Sequence, residues 1–276
     1  MNRAEREMEN LKNQILEFFS VSNAIQIFKN AVRDAFDTVK ELDAAMTETA
    51  VVTDFSIGDM WEKLPEYSAQ ATQLGTSIRS LYEATTLYYQ QGLGTQQAMG
   101  VGIETMKMAR VANMDAAAAT EAMTAALRGF NMEINELSAT RISDVYSELA
   151  AITASDTEQI ATAMSKTASI AASANMEFET TAALLAQIIE TTQEAPETAG
   201  TAVKTIIARF SEVKKLKEKG LFSGEDSEGE LIDVNKIQAA LRTVDISMDE
   251  FFAGTQGLDS ILLELASKWN TLDFET

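Results

Sequence analysis

The sequence predicts an all-α fold: a long N-terminal coiled-coil-like helix, followed by an alanine-rich multi-helix domain with an internal helix-turn-helix repeat. Three observations carry that prediction. Alanine dominates the apolar residues and is joined by 13 methionines; alanine, methionine, leucine, glutamine and glutamate are among the best helix formers. Only two prolines, Pro65 and Pro196, interrupt 276 residues, so few positions forbid a helix. A seven-residue apolar repeat runs through the first part of the chain, and a second, longer repeat runs through the middle.

Residues 5–52 read as one helix. Phe18, Ile25, Val32, Val39 and Met46 recur every seven residues, and Val21, Phe28, Ala35 and Leu42 each follow by three. This is the a/d seam of a coiled coil. Arg33, Asp34, Lys40 and Glu41 fall off it. A stripe this apolar requires a partner, either another copy, which makes the protein a homo-oligomer, or a later helix of the same chain. The spacing leaves both open. The candidate packing seam is therefore Phe18, Val21, Ile25, Phe28, Val32, Val39, Leu42 and Met46.

Thr53 to Asp59 reads as a break, with Asp and Ser positioned to cap the next helix. That divides the chain into an N-terminal heptad helix, 1–55, and a helical core, 56–276. Pro65 is expected in or just before the first turn of a segment opened by Trp61. Helix then runs over about residues 66–90, ends at Gly92 and Gly94, and restarts with Thr95 as N-cap. Further helices are expected over about 95–111, up to Arg128, 134–152, 157–172, up to Glu190, and 197–219. Their punctuation is Asn113-Met114-Asp115, Gly129 as a C′ residue, Ser155-Asp156-Thr157-Glu158 as a cap with acids in the first turn, Ala174-Asn175-Met176, and Pro196. Residues 220–230 read as an acidic, glycine-rich, solvated loop. Short helices follow over about 236–243 and 258–272. No change of composition marks an end at residue 276, so the chain reads as a fragment of a longer one.

The longer repeat has an offset of 62 residues. Thr95, Gln97, Thr105 and Ala109 recur as Thr157, Gln159, Thr167 and Ala171, and Ala112-Asn113-Met114 recurs as Ala174-Asn175-Met176. Such a repeat describes one helix–turn–helix unit used twice, each copy burying its apolar face on its neighbour.

Chemistry is largely excluded. With no cysteine and no histidine there is no thiolate nucleophile, no Cys/His zinc site and no Ser-His-Asp triad. No phosphate-binding glycine motif follows a strand. The acidic loop fits an EF-hand poorly: with Gly229 at the invariant glycine, Gly224 and Asn235 stand where acidic ligands belong. No catalytic, metal or cofactor-binding residue is singled out, and no cofactor is implied. The formal charge of −20 is opposite in sign to what phosphate binding requires, so no sequence-specific nucleic-acid partner is expected. The acidic surface reads first as what keeps an alanine-rich protein soluble; it would also suit a wall or lumen that DNA must pass without sticking. No apolar run is long enough to cross a membrane. Lys214-Lys215-Leu216-Lys217-Glu218-Lys219 is the one basic run and reads as a solvated helix end favoured by the dipole. Met99, Met106, Met108, Met114, Met123, Met164 and Met176 read as filler between small-residue helices.

Four segments carry a resemblance. They are Gly94-Thr95-Gln96-Gln97-Ala98 with the Ala-Asn-Met turns; Leu184 to Phe210, ending Gly200-Thr201-Ala202-Val203-Lys204-Thr205-Ile206-Ile207-Ala208-Arg209-Phe210; Asp233-Val234-Asn235-Lys236 with Ala239-Ala240-Leu241; and Leu258 to Trp269 with Leu272. In this order, over about residues 60–276, the chain resembles the core region of phage tail tape measure proteins. The resemblance implies a structural protein of the virion tail, without catalytic residues in this region, lying in the tube lumen. It also implies that length sets tube length, that tail tube protein and tail assembly chaperones are partners, that assembly passes through the bacterial cytoplasm, and that the protein leaves ahead of the DNA at ejection. Two rival readings remain: a helical signalling hairpin resembling a chemoreceptor cytoplasmic domain, and a secreted helical adhesin or translocator. The hairpin predicts heptads unbroken along most of the chain, which the glycine and asparagine turns after residue 52 oppose.

Overall fold

In a computed structural model the described residues are all-α apart from one two-stranded hairpin. The structure describes residues 26, 29–30, 33–34, 37–53, 55–225, 229 and 231–268. Helix α1 covers residues 37–52. It is followed by α2 (Ile57–Leu74), α3 (Ile78–Gln90), α4 (Thr95–Ala112), α5 (Ala116–Gly129), α6 (Glu136–Ile152), α7 (Thr157–Ser173), α8 (Phe178–Thr192) and α9 (Pro196–Glu218). Strands β1 (Ser223–Glu225) and β2 (Leu231–Asp233), then α10 (Val234–Thr243), α11 (Asp249–Ala253) and α12 (Leu258–Lys268), complete the described chain. Contacts divide the chain into two compact units, Met1–Glu66 and Tyr67–Thr276. The division falls inside α2, one residue after Pro65.

The helix boundaries follow local chemistry. Helix α2 starts at a reciprocal cap: Ser56 N–H donates to the Asp59 carboxylate at 2.7 Å and Asp59 N–H donates to Ser56 Oγ at 3.2 Å. Asp115, Asn135, Asp156 and Asp233 each accept a backbone N–H from their third successor. Asp156 and Gln159 form a full capping box, which satisfies orphan amides of the first turn. Pro196 stands at the start of α9, where its missing N–H costs nothing.

One device ends many of the helices. Gly75, Gly92, Asn113, Asn131, Asn175, Gly220, Asp245 and Gly254 all have φ between 51° and 86°. In each case the next residue's N–H returns to a carbonyl five residues back: Thr76 to Ala71, Met114 to Ala109, Met132 to Leu127, Met176 to Ala171 and Ile246 to Leu241 at 2.8–3.0 Å, for example. This is the Schellman closure, with a left-handed residue at its corner.

Four expectations need correction. Pro65 lies in the interior of α2, not in its first turn. The helix expected over 66–90 is broken at Gly75, where Ser77 caps α3 by accepting from Ser80 N–H at 2.9 Å. Thr95 is the first residue of α4, and Gly94 holds the cap position without a side chain. Gly129 is the last residue of α5 and is not its C′ residue; Asn131 is the residue with positive φ. The acidic loop also holds more structure than expected. Ser223, Gly224 and Glu225 pair antiparallel with Asp233, Ile232 and Leu231. Asp226, Ser227, Glu228 and Glu230 lie outside the described residues.

The 62-residue repeat is present in three dimensions. Helices α4 and α7 begin at Thr95 and Thr157, and α5 and α8 begin at Ala116 and Phe178. Asn113 and Asn175 carry the same left-handed turn, with φ 55° and 57°.

Candidate functional site

No catalytic cleft was expected. The features that distinguish the second unit are its central helix, its buried hydroxyl network and its surface charge. Helix α7 is the hub: it packs against α4, α5, α6, α8 and α9. Small residues set the closeness of two of these crossings. A β-carbon on Gly200 of α9 would lie 2.5 Å from the Ala163 carbonyl oxygen, and one on Gly129 of α5 would lie 2.4 Å from Ala168 Cβ. Thr167, between those two alanines, donates to the Gly200 carbonyl at 3.0 Å. Alanine and glycine faces let backbones approach until a hydroxyl bridges them directly. Methionines fill what remains: Met99, Met106, Met108, Met123, Met164 and Met176 are all buried, as their flexible thioether chains suit irregular gaps.

Tyrosines were not singled out in the sequence, yet Tyr67 on α2, Tyr82, Tyr88 and Tyr89 on α3, and Tyr146 on α6 are all buried. Tyr67 stacks on Tyr82 with centroids 4.0 Å apart and planes within 5°. Tyr88 Oη and Thr105 Oγ1 are 2.7 Å apart. Thr105 Oγ1 also donates to the Val101 carbonyl at 2.8 Å, so Tyr88 is the donor to Thr105. Close contact of α3 and α4 rests on Gly102, where a β-carbon would meet Thr85 Cγ2 at 2.6 Å. Burial pushes the phenols of Tyr82 and Tyr88 up to about 12. Burial also raises Tyr67, reinforced by neighbouring Tyr89, and burial alone raises Tyr146. The hydroxyls of Tyr146 and Ser143, one helical turn apart on α6, have no hydrogen-bond partner among the described residues. Tyr146 instead packs its ring against Phe178, which in turn meets Phe130 edge-on at 5.5 Å. The spacing Tyr82, Thr85, Tyr89 was a legible signal, being one stripe of a helix.

Helix α12 is tied to the α7–α8 turn. Leu258 N–H donates to the Ala174 carbonyl, and Asp259 accepts from Glu177 N–H at 3.4 Å. The Asp259 carboxylate thus caps α8, whose own N-cap residue Glu177 makes no side-chain cap. Lys268 closes the other end by donating to the Val244 and Asp245 carbonyls at 2.8 and 2.9 Å, a cation at the C-terminus of α10.

Of the packing seam, Phe18, Val21, Ile25, Phe28 and Val32 lie outside the described residues. Val39 is 52% exposed, whereas Leu42 and Met46 are buried within the single chain together with Ala45 and Thr49. The basic run ends α9, with Lys215 and Lys217 in the last turn. Its lysines are less solvated than expected: Lys214 lies over the Phe251 ring, and Lys217 over Phe222 and Phe252 at 5.7–5.8 Å. Among the described residues, no cluster of acids is placed to hold a metal ion, and no helix is long and apolar enough to cross a membrane.

Comparison with known proteins fits this scaffold. The sequence profile of the phage-related minor tail proteins matches residues 76–273. The "Tape measure protein" of Pneumococcus phage Dp-1 is 26% identical over 212 residues, which is 74% of this chain and 18% of that relative. The chain thus spans under a fifth of that relative's length. No solved structure matches. The profile match covers the whole of the α4–α9 repeat and the elements that close it, and on that ground the chain belongs to the family of phage-related minor tail proteins.

Proposed function

We propose that this segment is the folded core of a tape measure: a mechanical, non-enzymatic component that lies in the tail tube lumen, sets tail length, and leaves ahead of the DNA at ejection. The observation that supports it best is the repeated α4–α5 and α7–α8 unit. It uses helices as building blocks and places no convergent ionisable groups among them. Membership of a tail protein family, together with the Dp-1 relative's name, favours this over the signalling hairpin or the secreted adhesin. In this reading tail tube protein and assembly chaperones are the partners, assembly begins in the bacterial cytoplasm, and copies associate into a homo-oligomer through the heptad seam from Phe18 to Val39.

A ruler requires length, and the fold is folded back on itself. The longest described helix, α9, has 23 residues and spans about 35 Å, whereas the whole chain as one helix would reach about 400 Å. Opening is favoured by how this core is made. Alanine and glycine crossings bury little apolar area per residue, so unpacking forfeits less than in a leucine-rich bundle. High helix propensity lowers the cost of keeping the opened segments helical.

In-frame deletion of residues 95–210 from the phage tests the reading. At 1.5 Å per residue the tail should shorten by about 170 Å, measured by electron microscopy of intact virions. Assembled tails of unchanged length would remove the measuring role. The non-enzymatic part fails separately if the purified chain cleaves peptidoglycan and one Ser or Glu substitution abolishes that cleavage.

A further inference from the structure

We infer that residues 257–261 are a latch on the second copy of the repeat. Asp259, carried by α12, replaces the aspartate that caps the first copy, so the α7–α8 turn opens and closes with α12 while the α4–α5 turn stands alone. This asymmetry stands apart from the measuring role and is not lost with it.

The two copies differ at the residue on which a helix start depends. Asp115 and Glu177 are 62 residues apart, each directly before its helix. Their backbones match, with φ −73° and ψ 162° at Asp115 and φ −82° and ψ 151° at Glu177. Asp115 accepts from Ala118 N–H at 2.8 Å. Glu177, one methylene longer, makes no side-chain cap. By itself the second copy would therefore leave the amides of its helix start without an acceptor.

Helix α12 brings one. The Asp259 carboxylate accepts from Glu177 N–H at 3.4 Å and is held in place by its own neighbour, Ser260 N–H, at 2.9 Å. Leu258 N–H donates to the Ala174 carbonyl at 3.3 Å. Gly257 passes so close that a β-carbon there would overlap the Asn175 carbonyl oxygen. Leu258, Asp259 and Ile261 are buried.

The latch can release without the core. Its two hydrogen bonds to the turn are long, and its apolar anchors are Leu258 and Ile261. The hub helix α7 is held instead at the Gly129 and Gly200 crossings, which α12 does not share. Lys268 keeps the far end of α12 on the Val244 and Asp245 carbonyls, so release at Gly257 is a local opening. The first turn of α8 carries Phe178, whose ring meets Phe130 and Tyr146, and fraying of that turn loosens this ring contact.

Hydrogen exchange of the full chain, followed residue by residue, tests the latch. Thr181 N–H, bonded to the Glu177 carbonyl at 3.0 Å, reports the start of α8. Ala119 N–H, bonded to the Asp115 carbonyl at 3.0 Å, reports the start of α5. Leu258 N–H reports the latch itself. Asp259→Ala and Gly257→Ala should each speed exchange at Thr181 and Leu258 by about fivefold, the loss of one cap, and leave Ala119 unchanged. Adding Glu177→Asp to Asp259→Ala should restore Thr181 but not Leu258, because the second copy then carries the cap of the first. Asp115→Ala should speed Ala119 alone. Native exchange at Thr181 in both latch variants would overturn the inference. Equal acceleration at Ala119, or loss of the fold, would do so too, by making residues 257–261 part of the common core. Failure of Glu177→Asp to restore Thr181 would show that Asp259 is not the missing cap.

Discussion

Gly200 shows how much one missing methyl decides. In a helix interior, glycine to alanine ordinarily gains about 0.5–1 kcal/mol. At Gly200 the new carbon would sit 2.5 Å from a backbone oxygen of Ala163, which cannot rotate away. Forcing the crossing apart costs about 1–3 kcal/mol, and the loss wins. Gly200→Ala should lower the urea midpoint, while Gly100→Ala, which meets only the Glu136 side chain, should leave it unchanged or higher. Tyr146 tests the opposite case. Its hydroxyl is buried and has no partner among the described residues, so Tyr146→Phe should keep or raise stability, by up to about 1 kcal/mol. Tyr88→Phe should lose about 0.5–1.5 kcal/mol, because Thr105 loses its donor; thermal unfolding of the two variants separates them. Asn113 and Asn175, the left-handed turn residues, were legible in sequence because the Ala-Asn-Met turn repeats. Gly129 was misplaced: glycine near a helix end looks like a terminator, and nothing local reveals that Ala168 lies across from it.

At the scale of elements, caps were the most legible signal. Asp115, Asp156 and the Ser56–Asp59 pair each stand where a helix starts, because the capping hydrogen bond spans only three residues. The break at Gly75 was missed, since the apolar pattern continues across it into α3. The β1–β2 hairpin was missed because three-residue strands are shorter than any reliable alternation. Helix α3 carries its own prediction. An ordinary tyrosine ionises near about 10, but Tyr82 and Tyr88 hold their protons to about 12. The folded state therefore binds protons more tightly. Its advantage is complete below about pH 10 and declines as pH rises through 10–12. Absorbance at 295 nm should show these phenols titrating late, together with loss of helicity. Titration of all five tyrosines near pH 10 with the fold intact would contradict this packing.

For the molecule as a whole, the all-α class was readable from alanine, methionine and the scarcity of proline, and so was the repeat. Which helix becomes the hub was not. That place falls to α7 because Ala163, Thr167 and Ala168 fit against Gly200 and Gly129, a complementarity between segments that no single segment displays. Under the proposed measuring role, the same repeat supplies a unit for a test. Residues 95–156 contain α4, α5 and α6 and end where the second copy begins, so a third copy can be spliced in without cutting a helix. The most direct measurement is the tail length of phage carrying that duplication. The account predicts tails longer by about 90 Å at 1.5 Å per inserted residue; infectious virions with tails of the original length would contradict it.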